Sequence, residues 1–269
     1  MLLGSGSWVT RSFDQYTVVW LLVSSVIGGV VGASIKFIFD DVLSPRLGSR
    51  RETRRTIRKY TTPLIRSAEA LERRINIMIR NESKRWFDTD DYFRLSTLYI
   101  FGEYFAWIRI LERTFGFVPY ESRKRGREFN FRLNGPFRAL TSHAYFHGID
   151  PDIIDANSVP RLMLTAIGEG MTSGDGTPMT FTEFLGNYAD DARLRRWFAD
   201  LETFLSGVHK NNAIRWDRLI AAGATLRFLI RFLDPRGTLV PTRDASSLDK
   251  LAHPEVKRRI ESEAGRPRT

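Results

Sequence analysis

The chain has 269 residues, no cysteine and only four histidines. Without thiols there is no disulfide framework, no thiolate zinc site and no cysteine nucleophile, and the composition agrees with a reducing compartment. Only His143 and His147 stand one helical turn apart, as two metal ligands would. No zincin-type glutamate motif surrounds them, no third ligand can be identified, and Gly148 reads as a helix end. No metal and no cofactor is expected. A Gly-x-Ser-x-Gly elbow, a paired-acid motif and a recognisable nucleophile–base set are also missing. The glycines of Thr172–Pro178 lack the lysine of a P-loop, and nothing marks a preceding strand, so this stretch reads as a turn.

Negative charge is scarce. Lys and Arg number 41 against 31 Asp and Glu, giving a net charge of +10. The excess is concentrated: between Arg46 and Arg85, 13 basic residues face 4 acidic ones, a local excess of nine. A hydrophobic share of 42% and an aromatic share of 12% suit a packed core.

One uninterrupted apolar run organises the rest. Tyr16–Phe39 reads YTVVWLLVSSVIGGVVGASIKFIF, with Lys36 as its only charge. As a helix it would be about 36 Å long, enough to cross a hydrocarbon core of about 30 Å with some tilt. A cleavable signal peptide is the first alternative, with Val31-Gly32-Ala33 before Ser34 as a cleavage site. The run is longer than a signal core of about 7–15 residues, and Met1–Gln15 carry only Arg11 and Asp14, not a basic leader. A buried soluble helix is less suited still, because Val18–Val23 and Val26–Val31 leave no polar face. Arg46, Arg50, Arg51, Arg54, Arg55, Arg58 and Lys59 follow the run, and Arg11 alone precedes it. The positive-inside rule then puts the N-terminus outside the inner (cytoplasmic) membrane and the C-terminal domain in the cytoplasm. Ser24, Gly28 and Gly32 recur every four residues, as do Ser25, Gly29 and Ala33. Such rows let two membrane helices approach closely, favouring a homo-oligomer, although Gly and Ser are also simply common in membrane helices.

The reading is all-α: residues 1–15 outside, a transmembrane helix over 16–39, a hinge at 40–49, a helical cytoplasmic domain over 50–236, and a flexible polar tail over 237–269. The tail carries at most a short helix near Pro254–Glu263, and there is room for one small β-hairpin near 171–182. In the first helix of the domain, Ile57, Thr61, Leu64, Ala68, Leu71, Ile75 and Met78 alternate at four and three, and Pro63 is expected to kink or restart it. Packing against its own domain is preferred over a coiled coil.

Asp88, Asp90 and Asp91 suit the start of a helix over Tyr92–Phe117 rather than a metal site. On that helix Arg94, Thr97, Arg109, Glu112 and Arg113 share one face, and Glu103 points away from them among apolar neighbours. Glu103 is therefore read as a buried carboxylate, paired with an arginine of a neighbouring helix, hydrogen-bonded or held protonated, and Glu169 as a second buried polar candidate. Residues 120–138 interleave Arg123, Lys124, Arg125, Arg127, Arg132 and Arg138 with Phe129, Phe131 and Phe137. That pattern fits either a solvated basic face or a surface for a phosphate-bearing chain. Further helices are expected over Arg161–Met171, Asp190–Val208 and Ala213–Leu233.

YFRLSTLYIFGEYFAWIRIL from Tyr92, with Ala166-Ile167-Gly168-Glu169-Gly170-Met171, Phe181-Thr182-Glu183-Phe184 and Phe232-Leu233-Asp234-Pro235, resembles a family of mostly helical bacterial proteins whose activity is not established. The resemblance covers about residues 55–235, the aromatic segment being its most specific part, and the basic run from Arg123 is no part of it. It implies a helical fold and brings no cofactor or catalytic residue.

Three functions follow as expectations. The first is a non-catalytic, membrane-tethered interaction or sensor domain, with the anionic inner leaflet and an unidentified protein as partners. The second is a self-associating membrane effector, pore-forming in its furthest version, triggered by nucleotide or nucleic acid in a bacterial defence system. The third is an enzyme using buried carboxylates such as Glu103 and Glu169.

Overall fold

The computed structural model of the chain describes residues 50–115, 124–241 and 247–264, with side chains described over 60–114, 127–241 and 247–264. The expected membrane segment 16–39, its rows Ser24, Gly28, Gly32 and Ser25, Gly29, Ala33, and the hinge all lie outside these residues. No described helix is long and apolar enough to cross a membrane.

The described residues are all-α. Eleven helices run in the order α1 (Arg50–Arg80), α2 (Trp86–Thr89), α3 (Asp91–Phe115), α4 (Lys124–Leu133), α5 (Gly135–Thr141), α6 (Pro151–Ala156), α7 (Arg161–Gly170), α8 (Phe181–Asp190), α9 (Ala192–Ser206), α10 (Ala213–Leu233) and α11 (Pro254–Ala264). Single 3-10 turns stand at Glu82–Lys84 and Ser247–Lys250. Side chains place the helix starts. Asp90 accepts the Phe93 N–H at 2.9 Å and opens α3. Thr180 and Glu183 form a reciprocal capping box on α8. Asp191, in extended backbone, ends α8 and caps α9 through the Arg193 N–H at 2.8 Å, so the helix expected over Asp190–Val208 runs from Ala192 to Ser206.

The helix α10 is the axis of the domain. Most of it is buried between Ile214 and Leu233, with Arg231 exposed near its end, and α1, α5, α4 and α11 pack round it. A helix so largely apolar has to sit inside. The expected stripe of α1 is confirmed as domain packing: Thr61, Leu64, Ala68, Leu71 and Ile75 are buried against α10 and α3. Pro63 departs from expectation, because α1 continues through it without a break. The third long helix, α3, joins α1 on one side to α7 on the other. At that crossing a Cβ on Gly168 would stand 2.6 Å from the Phe105 carbonyl oxygen, so only glycine lets the two backbones approach this closely.

Two expectations are corrected. The stretch 171–182 forms no strand; it has one antiparallel bridge, Thr172 with Pro178, and the turn closes on itself as Asp175 accepts from the Thr177 N–H at 2.9 Å and hydroxyl at 2.7 Å. The supposed free tail is docked over 247–264, because Val256 and Ile260 give its short helix an apolar edge that is fully buried where it packs on the body beside α10.

Candidate functional site

Glu103 sits in the middle of α3, half-buried, between Tyr99 and Trp107 on its own helix. No arginine meets it, and it makes no hydrogen bond or ion pair among the described residues, so the expected pairing is absent. Burial alone pushes its carboxyl above the usual glutamate range. One turn away the Tyr99 hydroxyl, pushed up to about 12 by burial and by the nearby carboxylates of Glu103 and Glu183, donates to the Met179 carbonyl at 3.2 Å. A protonatable group is present here, and among the described residues no hydrogen-bonded nucleophile or base is placed against it.

Glu169 is elsewhere and is not buried. It accepts from the Arg109 guanidinium and faces Arg113 at 3.7 Å, its side chain 43% exposed, in a surface bridge between α7 and α3. Glu112 holds the other side of Arg109. The correction has a simple geometric cause: Arg109 shares a face of α3 with the residues that meet α7, and Glu103 lies well round the helix from it. The two glutamates therefore do not form an acid–base pair.

The aromatic segment does its work inside. Tyr99 packs edge-on to Phe181 with centroids 5.2 Å apart, Phe184 edge-on to Phe198 at 5.5 Å, and Tyr188 donates to Glu202 at 2.9 Å. Arg94 completes that last pair, tying α3 to α9. The basic run is divided. Arg50, Arg51, Arg54, Arg55, Arg58 and Lys59 lie on the first turns of α1, and Lys124 and Arg125 on α4, with side chains outside the described residues, as is Arg123 altogether. Arg127 is exposed. The interleaved rings are committed to the fold: Phe129 stacks on Phe232 at 6.5 Å, and Phe131 lies under the Arg138 guanidinium at 3.6 Å.

His143 Nε2 meets Asp155 at 2.6 Å and His147 is exposed; among the described residues no three His, Asp or Glu side chains gather as a metal site.

Periodicity missed the polar groups that matter most in α10. Asp217 and Arg218 are both wholly buried. Arg218 donates to the carbonyls of Ala139 at 2.8 Å, Ser142 at 3.0 Å and Ile154 at 3.2 Å, with its guanidinium 4.7 Å from the centre of the Phe146 ring. Burial lowers it to about 10, the distant Asp155 charge offsetting little of this. Its buried Nε has no acceptor. Asp234, of the Phe-Leu-Asp-Pro motif, closes the turn after α10 by accepting from the Leu239 N–H at 2.7 Å and from the Val240 and Thr238 N–H groups. Burial opposes its charge, but these bonds prevail and hold it below the usual aspartate range. A sequence signal existed: adjacent opposite charges among the apolar residues of a largely buried helix need partners inside the fold. No family model, curated protein or solved structure matches the chain.

Proposed function

We propose that the chain is a single-pass, membrane-anchored helical protein that acts by interaction rather than by catalysis, its body held at the cytoplasmic face of the inner membrane. The carrying observation is the apolar run 16–39 followed by seven basic residues between Arg46 and Lys59, the last six of them on the first turns of α1. That helix runs on through Pro63 into the core. A helix that carries basic residues on its first turns and packs into the body further along suits a tether or a sensor. Lys and Arg at its base suit anionic headgroups, at about 1 kcal/mol per residue near the surface. The small-residue rows of 16–39 would bring two copies together.

The nucleic-acid-triggered reading draws less support, because Phe129 and Phe131, the rings that would stack on bases, are already occupied by Phe232 and Arg138. The carboxylate-enzyme reading loses its pair with the separation of Glu103 from Glu169.

Fractionation tests the anchor. The full-length protein should sediment with membranes, resist extraction by salt and alkaline carbonate, and be released by detergent. Recovery in the soluble pool, unaggregated and without detergent, would remove the proposal. Vesicle flotation of the detergent-reconstituted protein should show no nucleic-acid dependence.

A further inference from the structure

The segment 247–264 is held on the body as a helical peptide is held in a groove. At its start, the Trp216 indole N–H of α10 donates to the Lys250 carbonyl at 2.7 Å. Next to it the wholly buried Asp217 carboxylate accepts from the Ala252 N–H at 2.7 Å and the His253 N–H at 2.9 Å, and meets His253 Nδ1 at 2.8 Å. At the far end Glu263 accepts from the Tyr145 hydroxyl at 2.9 Å and faces Arg138 at 3.4 Å. Between these clasps, Val256 and Ile260 stand one turn apart and are both fully buried.

Two points set this contact apart from the packing of the rest of the body. Among the described residues every hydrogen bond and ion pair of Asp217 runs to the segment and no arginine or lysine pairs with it, so the carboxylate is satisfied there by the helix start presented to it. The segment brings two wholly buried apolar side chains, Val256 and Ile260, and two half-buried ones, Leu248 and Leu251, whereas the body is held by layers of rings such as Phe101, Phe105, Phe184 and Phe198. A unit with few buried apolar contacts opens before the whole does.

We propose that 247–264 is a releasable strap, and that the groove of α10 beneath it is a helix-binding site that accepts the same segment from a second copy of the chain. The occupant is specified by its chemistry: two free N–H groups at a helix start beside histidine, valine and isoleucine at i and i+4, and a carboxylate at i+7. This chain carries that pattern itself, so each copy can supply the ligand the other's groove recognises. The inference does not depend on membrane anchoring.

Hydrogen exchange on the full-length protein is the first test. Amides of 254–264 should exchange at least about tenfold faster than those inside α10, at a rate independent of global unfolding. Exchange of both at one common rate would overturn release. The second test uses a fluorescein-labelled synthetic peptide of residues 247–264 and the full-length V256D/I260D variant, whose strap should stay undocked. The peptide should bind the variant saturably and the wild type at least about tenfold more weakly. A variant that keeps its helical circular dichroism and binds no peptide, or binds no better than wild type, overturns the site. Should the variant fail to fold, a wild-type chain with a protease site inserted between Pro241 and Ser247 replaces it. After cleavage the labelled peptide should displace the strap, and failure to displace it at any excess is equally decisive.

Discussion

Arg227 of α10 and Glu72 of α1 form an ion pair inside the domain: Arg227 Nε donates to Glu72 Oε1 at 3.1 Å, with side chains 13% and 8% exposed. Asn76 adds a second donor to the same oxygen at 2.6 Å, and Ser247 reaches Asn76 at 2.8 Å. One carboxylate thus ties α1 to α10 and touches the strap through a single relay.

Removing either partner leaves a buried charge unpaired. Glu72→Ala and Arg227→Ala should each cost about 3–5 kcal/mol in urea unfolding, while the apolar double variant E72L/R227M should fall within about 2 kcal/mol of wild type. Equal losses in the single and double variants would show that shape, and not charge, is at stake.

Arg218 holds three carbonyls that end or join short helices. Arg218→Met should cost about 3 kcal/mol and loosen hydrogen-exchange protection around Ser142 and Ile154 first. Lysine should recover less than half of the loss, because one ammonium cannot span three carbonyls arranged for a planar fork.

Two glycines separate close approach from helix propensity. Gly168→Ala drives a methyl into the Phe105 backbone and should lower stability by about 2 kcal/mol or more. Gly186→Ala, inside α8 with open space around it, should raise stability by about 0.5–1 kcal/mol. Thermal melts of the pair read both signs in one experiment.

The raised carboxyl of Glu103 has a defined pH signature. Its folded form holds the proton at a higher pH than the unfolded chain does, so stability falls as pH rises from the unfolded glutamate value through the folded one. Glu103→Gln should therefore stabilise the protein at pH 7.5, the gain disappearing below the unfolded glutamate value, where both states are neutral. A variant less stable than wild type at pH 7.5 would mean that the carboxylate has a charged partner.

The helical class, the long apolar segment, the buried stripe of α1 and the span Ala213–Leu233 were legible in the sequence, because each depends on local periodicity or on the length of an apolar run. Capping was legible at Asp90 for the same reason: the acceptor and its N–H are three residues apart. Contacts between distant residues were not. Glu169 read as buried until Arg109, 60 positions away, drew it into a surface bridge. The tail read as free because two small apolar side chains in a charged segment give a weak signal, and only α10 beneath them makes Val256 and Ile260 a docking edge. Asp217 and Arg218 stood in plain view as charges in an apolar helix. Which groups satisfy them depends on chain segments 35 to 79 residues away, and only the tertiary fold brings those within hydrogen-bonding distance.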